Sequence, residues 1–452
     1  MRNFTLHFAP LLLLLAGCSI FKSAPPSPPP PRPLHLSSTA TLDITNGIRV
    51  TASSELPRGF IPNPDVPPMW LAQDMGIAVA GSLDGKAIVI GLGGPKRSNL
   101  TTIASDFGPG APTGRILTVA ASPDGMELAT AVADPTANRL NLMLIDSISG
   151  GAGHSVASFD GDYHVASMSW VNRETIAIVI RPSAPATPAA LIASNVETVG
   201  SQSGLYLVGI TGLGSVTHLD RIHCQLASLR FSPNRRFAAS AGDSETAPAI
   251  VNLQDQSCVE LRVAAPIKVL GWAPDSSAFI YAAREPKSSN VGVFRFSLAT
   301  AMTTLIAVSS AAAAYASDGT ILAMGNSGLS WKRIARDPDA PTKAEIALLN
   351  PRTAVVTINS LGFQTPPAMF AQSSMVFTTA SDSAAIDTFV PQRDGLLREL
   401  IDYSYPARSA FVLASGTAPG PLSMSWSPDG RALAIVDGDA SLAMLTVMIP
   451  PR

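Results

Sequence analysis

Charge is what this chain has least of. Only 14% of its 452 residues are Asp, Glu, Lys or Arg, and the formal net charge is −2; ordinary soluble proteins carry roughly 25% charged residues. A nucleic-acid binder needs a basic stripe to displace counterions from phosphates. No such stripe is present, so no nucleic-acid partner is expected. The groups of nucleophilic catalysis are missing too. No G-x-S-x-G elbow occurs: "GNSGLS" around Ser327 has the wrong spacing, and "GGAGHSVAS" puts His154 beside Ser155 in what reads as a glycine-rich loop. No run of amphipathic helices exists to build a hydrolase domain of the α/β type. "GLGG" at 91–94 lacks the helix and lysine of a phosphate cradle. Beyond the amino terminus, no segment reads as a transmembrane span. Cysteine is sparse, with Cys18, Cys224 and Cys258 the only three.

What the chain has in quantity is one turn. "SPDG" stands at 122–125 and again at 427–430, with degraded copies "SPNR" at Ser232, "APDS" at Ala273 and "ASDG" at Ala316. Each copy follows a short apolar stretch and precedes a second one rich in Ala, Ile and Val. Proline at the second position presets φ, Asp or Asn caps local amides, and glycine takes the left-handed conformation. These are two strands joined by a tight turn. "VNRETIAIVI" after Trp170 fits the same frame, and two weaker units complete the series: "GSLDG" from Gly81, and "FAQSS" from Phe370 followed by "MVFTTAS".

The residue before each turn is bulky: Trp170, Phe231, Trp272, Tyr315 and Trp426, with Ala121 the small exception. A ring at a repeated strand end is placed to wedge between adjacent sheets. The units recur at about 40–60 residues, the length of a four-stranded blade. Strands this short and uncharged need the edge protection of radial closure. The expected fold is therefore all-β, a β-propeller of eight four-stranded blades, or seven if the Gly81 or Phe370 unit is spurious. A parallel β-helix, the rival, has coils too short for this period. After Trp426 only two more strands fit, so an amino-terminal segment near 47–52 is expected to supply the missing strand of the last blade.

The Ser-Pro-Asp-Gly turn in such a repeat resembles the WD40-like (PD40) repeats of the Tol-system propeller and its relatives, over roughly 47–452. The Trp-Asp pairs of true WD40 repeats are absent, as is the amino-terminal α/β domain of the Tol protein. The resemblance implies architecture and leaves the task open, since propellers host enzymes, binders and scaffolds.

At the amino terminus, Arg2 precedes an apolar run that ends in Leu15-Ala16-Gly17-Cys18. The run is too short to span a bilayer as a mature helix, and it resembles a bacterial lipoprotein signal peptide, with a plain secretory signal as the alternative. The resemblance implies removal of residues 1–17 and acylation of Cys18 with palmitate-type chains. Ser19 is not the retention aspartate of that pattern, so the outer membrane of a Gram-negative cell, periplasmic face, is the expected location. "SAPPSPPPPRPLHL" follows and reads as an extended polyproline spacer at about 3.1 Å per residue. The expected organisation is thus a signal peptide (1–17), a lipidated cysteine with spacer (18–40), and a propeller (41–452).

Candidate sites are few. His218, Asp220, His223 and Cys224 form the densest group of ligand-type residues, yet their spacing matches no standard metal site. Cys224 and Cys258 are a candidate disulfide that an exported protein permits, the alternative being two buried small hydrophobes. The repeat places one before an innermost strand and the other on an outermost one, towards opposite ends of a blade. The pairs Asp160/Asp162, Asp337/Asp339 and Asp437/Asp439 are short of calcium ligands and suit turn capping. The proline-rich stretches "RPSAPATPAALI" and "NSLGFQTPPAMFAQ" read as rim loops that could carry binding. No catalytic residue and no cofactor is expected. The leading functional expectation is a membrane-anchored, non-catalytic propeller that binds an envelope protein. The alternative is a glycan- or peptide-acting enzyme with a carboxylate pair in the central funnel.

Overall fold

In the computed structural model, residues 49–450 are described, apart from several stretches of which 184–203, 334–343 and 359–373 are the longest. Residues 1–48, including the signal-peptide region, Cys18 and the spacer, lie outside the described residues, as do Ser327, Asp337, Asp339 and most of the two proline-rich stretches. The described strands form eight antiparallel sheets, six of four strands and two of five. Blade 1 covers 61–105, blade 2 115–160, blade 3 163–218 and blade 4 229–260. Blade 5 covers 266–307, blade 6 312–358 and blade 7 374–416. Blade 8 combines 423–449 with the strand Arg49–Glu55.

The amino-terminal strand is the fourth of blade 8. Arg49–Glu55 pairs antiparallel with Leu442–Ile449, Arg49 opposite Ile449 and Glu55 opposite Met444. The chain thereby fastens its beginning to its end. The buried apolar side chains fall into eight clusters, and each cluster joins two consecutive blades. The cluster that joins blade 8 to blade 1 brings Ala434, Val436, Leu445 and Val447 against Leu56, Phe60, Ile77 and Val79. Eight sheets with eight shared cores make a closed ring, with the strand alternation of two-faced burial in every blade.

The turn that organises the sequence behaves as its chemistry requires. In blades 2, 4, 5, 6 and 8 the fourth turn residue donates its N–H to the carbonyl of the first: Gly125 to Ser122, Arg235 to Ser232, Ser276 to Ala273, Gly319 to Ala316 and Gly430 to Ser427, at 2.8–3.0 Å. Its φ is positive every time, from 58° at Arg235 to 83° at Gly319. Ser122 Oγ donates to Asp124 Oδ1 at 2.7 Å and accepts the Glu127 N–H, and Ser427 repeats this with Asp429 and Ala432.

Two units differ from the sequence reading in register. Asp84-Gly85 turns between the second and third strands of blade 1, not the first and second. The inner strand of that blade lies earlier and is interrupted, Ile61–Pro62 and Met69–Trp70 both pairing with Gly76–Leu83. Gly81 serves a different purpose from a turn glycine: a Cβ there would fall 2.4 Å from the ring of the fully buried Phe60. In blade 7 the inner strand is Ser374–Thr378, so Phe377, not Phe370, stands where the wedge residue belongs, and the turn runs from Thr378 to Ser383. His154 and Ser155 belong to the outer strand His154–Asp160 rather than to a loop.

Candidate functional site

The inner strands are Met69–Trp70, Arg115–Ala121, Tyr163–Asn172, Leu229–Phe231, Pro266–Trp272, Ala312–Tyr315, Ser374–Thr378 and Ser423–Trp426, and each lies beside the inner strand of the next blade, the last meeting the first through a Trp70–Ser425 hydrogen bond. At or just before their ends stands a ring of wedges: Trp70, Ala121, Trp170, Phe231, Trp272, Tyr315, Phe377 and Trp426. The four tryptophans act alike. Each indole N–H crosses to the preceding blade and donates to the carbonyl just before that blade's own wedge: Trp170 to Ala120 at 3.0 Å, Trp272 to Arg230 at 2.8 Å, Trp426 to Val376 at 3.0 Å and Trp70 to Ser425 at 3.3 Å. An aromatic wedge buries area, and its polar handle fixes the neighbour's height. Where Ala121 offers no ring, the turns touch directly, Ala72 N–H donating to Gly125 O at 3.0 Å. The wedge Tyr315 points its hydroxyl towards Arg295 of blade 5. Burial pushes that hydroxyl up to about 12, and the guanidinium only partly opposes the rise.

One level above the wedges, the residues before them are Met69, Ala120, Ser169, Arg230, Gly271, Ala314, Val376 and Ser425. Met69 is buried, and the others have partial or full access to water while their strand neighbours turn into the blade cores. This level is uncharged everywhere except at Arg230. The inner strands as a whole contain no Asp or Glu. Their ionisable residues are Arg115, His164, Arg230 and Lys268, all exposed, with Tyr163 and Tyr315 buried. The two buried carboxylates among the described residues, Asp387 and Asp402, lie on the second and third strands of blade 7. They share a face with Ala385 and Leu400, which pack against blade 8, so they are held between blades.

The metal-type cluster does not converge. Cys224 is bonded to Cys258, so it has no thiolate to offer. His218 ends the outer strand of blade 3, stacks on Tyr206 with ring centroids 4.6 Å apart, and fills the space a side chain at Gly204 would need. Among the described residues no three of His, Cys, Asp and Glu gather as a metal site. Asp160 pairs with Arg139 at 2.8 Å, and Asp162 accepts the Ser183 hydroxyl. The two cysteines, expected towards opposite ends of a blade, have Cα atoms 6.1 Å apart. The reason is the path of the crossover. Cys224 follows the outer strand of blade 3 by only a few residues, so the chain is still at the periphery as it passes Cys258 on the outer strand of blade 4.

No protein-family model matches this chain, and no curated protein matches it in sequence. Its backbone is similar to several solved structures. The Cps50 (Swd1) beta-propeller domain of Myceliophteria thermophila is 10% identical with a TM-score of 0.43, over 89% of this chain and 99% of that one. Oligogalacturonate lyase of Vibrio parahaemolyticus is 12% identical with a TM-score of 0.44, over 89% and 98%. TolB of Acinetobacter baumannii is 13% identical with a TM-score of 0.35, over 81% and 64%. At these values they are likenesses of fold, and none of them speaks to what this chain binds or does.

Proposed function

We propose that this chain is an exported lipoprotein whose propeller serves as a non-catalytic binding scaffold for an envelope protein, on the periplasmic face of the outer membrane. The observation that carries the non-catalytic part of the reading is the make-up of the inner strands, which are largely neutral and without a carboxylate. Glycoside chemistry uses two carboxylates about 5–9.5 Å apart around the scissile bond. Here the buried pair Asp387 and Asp402 sits between blades and away from the inner edge. The disulfide supports export, because such bonds persist in oxidising compartments. Among the described residues no helix is long and apolar enough to cross a membrane. The anchor in this reading is the lipid on Cys18, two acyl chains being enough for stable residence.

The test is chemical crosslinking in intact cells, followed by solubilisation and affinity capture of the full chain. The expected result is one recurrent crosslinked envelope protein that the Cys18→Ala precursor does not reach. Repeated capture of no partner, or turnover of envelope glycans by the purified chain, contradicts the reading.

A further inference from the structure

Arg230 is the anomaly of the inner ring. It lies in the middle of the three-residue inner strand Leu229–Phe231, whose carbonyl at Arg230 is already fixed by the Trp272 indole at 2.8 Å. Leu229 and Phe231 on either side join the core shared by blades 3 and 4. Arg230 is directed to the other face, the side of its cross-strand partner Ala239, which belongs to the core shared with blade 5. Its side chain is open to water. Yet the surrounding protein desolvates the guanidinium enough to lower its pKa from the ordinary value, and no carboxylate opposes that. Standing on the innermost strand of blade 4, this wetted guanidinium belongs to the inner side of the ring and not to its outer edge.

The neighbours define the space beside it. At the same level on the next blade stands Gly271, where an added Cβ would meet no atom within 4 Å. On the preceding blade the level is held by Ser169. Lys268, three residues before Gly271, is a second exposed cation on the same inner strand. Among the described residues, the Arg230 guanidinium forms no hydrogen bond and no ion pair. Five N–H donors in a fixed planar fork are thus presented to open space inside a ring that carries no Asp or Glu. Desolvating a cation is costly unless an anion compensates it, and a guanidinium fork matches the oxygens of carboxylate and phosphate in pairs.

We propose that Arg230 is an anion-recognition residue of the central channel, taking an oxyanion that can accept two N–H donors into the space beside Gly271. The proposal rests on the scaffold reading only in that a ligand, not a substrate, occupies the site. It stands or falls separately from the envelope partner.

The probes are sodium citrate for the carboxylate arm and inorganic phosphate for the phosphate arm, at constant ionic strength with chloride as control. Binding to the purified full chain is followed by titration calorimetry. The expected result is saturable binding of one of the two probes, which identifies the oxyanion source, and no saturation by chloride. Arg230→Gln is expected to weaken that binding at least tenfold, with circular dichroism unchanged. Gly271→Leu is expected to block it too, by filling the space while leaving the guanidinium in place. If neither probe saturates the wild-type chain, the proposal is overturned. If Arg230→Gln and Gly271→Leu, both folded, bind as the wild type does, it is overturned as well.

Discussion

The indole Nε1 of Trp70 donates to the carbonyl of Ser425 at 3.3 Å, across 355 residues of sequence. Ser425 returns the contact, its hydroxyl donating to Pro68 O at 2.6 Å. The first blade is thus keyed into the last by the same bond that Trp170, Trp272 and Trp426 make between consecutive blades. The seam of the ring has two fasteners: this wedge on the inner side, and the Arg49–Glu55 strand on the outer. Replacing Trp70 by Phe keeps the wedge and removes the donor, at a cost of about 1 kcal/mol. Hydrogen exchange is expected to quicken first in Met69–Trp70 and Ser423–Trp426. Uniform change across all blades would show that the bond does not guard the seam.

Truncation tests the outer fastener. A chain that begins at Leu36 retains the whole of Arg49–Glu55 and is expected to melt as the longer chain does. A chain that begins at Ser54 loses the strand and its buried Ala52, exposing the edge of Leu442–Ile449. It is expected to melt lower and to aggregate. Equal melting temperatures for the two would contradict closure by the amino-terminal strand.

The turn glycines separate two causes of strain. Gly125 has φ of 69°, and a Cβ there would fall 2.6 Å from Ala72 N on the neighbouring blade's turn. Gly319 has φ of 83° with nothing within 4 Å. Alanine at Gly319 meets only the left-handed penalty, about 1–2 kcal/mol. Alanine at Gly125 meets the same penalty and a backbone clash, so its melting temperature should fall further. The reverse order would show that the turns do not touch as described.

The capped turn carries an acid signature. The Asp124 carboxyl is held below its ordinary value, chiefly by the Ser122 hydroxyl and, to a lesser degree, by the Met126 amide; burial works in the opposite direction. A depressed folded pKa means stability that is present above the unfolded value near 3.8 and lost as pH falls through the lower folded one. Ser122→Ala removes the main cause. Carbon-detected titration is expected to show Asp124 moving up towards 3.8, and no movement would assign the shift elsewhere.

The disulfide closes a span of 34 residues from the crossover to the outer strand of blade 4. In the chain-entropy account, a loop of that size is worth about 3–4 kcal/mol. Cys258→Ser is expected to lower the melting temperature under oxidising conditions and to leave it unchanged in reductant, where the wild type should fall to match it.

The architecture was readable because one turn chemistry repeats. Ser122, Ser232 and Ser427 each clasp an Asp or Asn two residues on, and that pattern is local enough to see in sequence. The two misregistered units show the limit of the same signal. Asp84-Gly85 has the right residues for a tight turn, but a second-to-third-strand hairpin needs that chemistry too. The true wedges, Trp70 and Phe377, precede "LAQDMG" and "TTASDS", which contain no Ser-Pro. The cysteine pairing depended on how far the crossover had travelled inward by Cys224, a property of its path and not of its residues. Arg230 carried one faint mark: it occupies a level that the other copies fill with Ala, Ser, Gly, Val or Met. Only the fold shows that this level borders open space.

The tether is the claim on which the proposed role depends, and Cys18 is its chemical point. Palmitate labelling of cells expressing the full chain, followed by membrane fractionation, measures it directly. The expected result is a labelled mature chain in the outer-membrane fraction, with Cys18→Ala unlabelled and retained at precursor size. An unlabelled wild-type chain, or a Cys18→Ala chain processed to mature size and released in soluble form, would contradict a lipid-anchored scaffold.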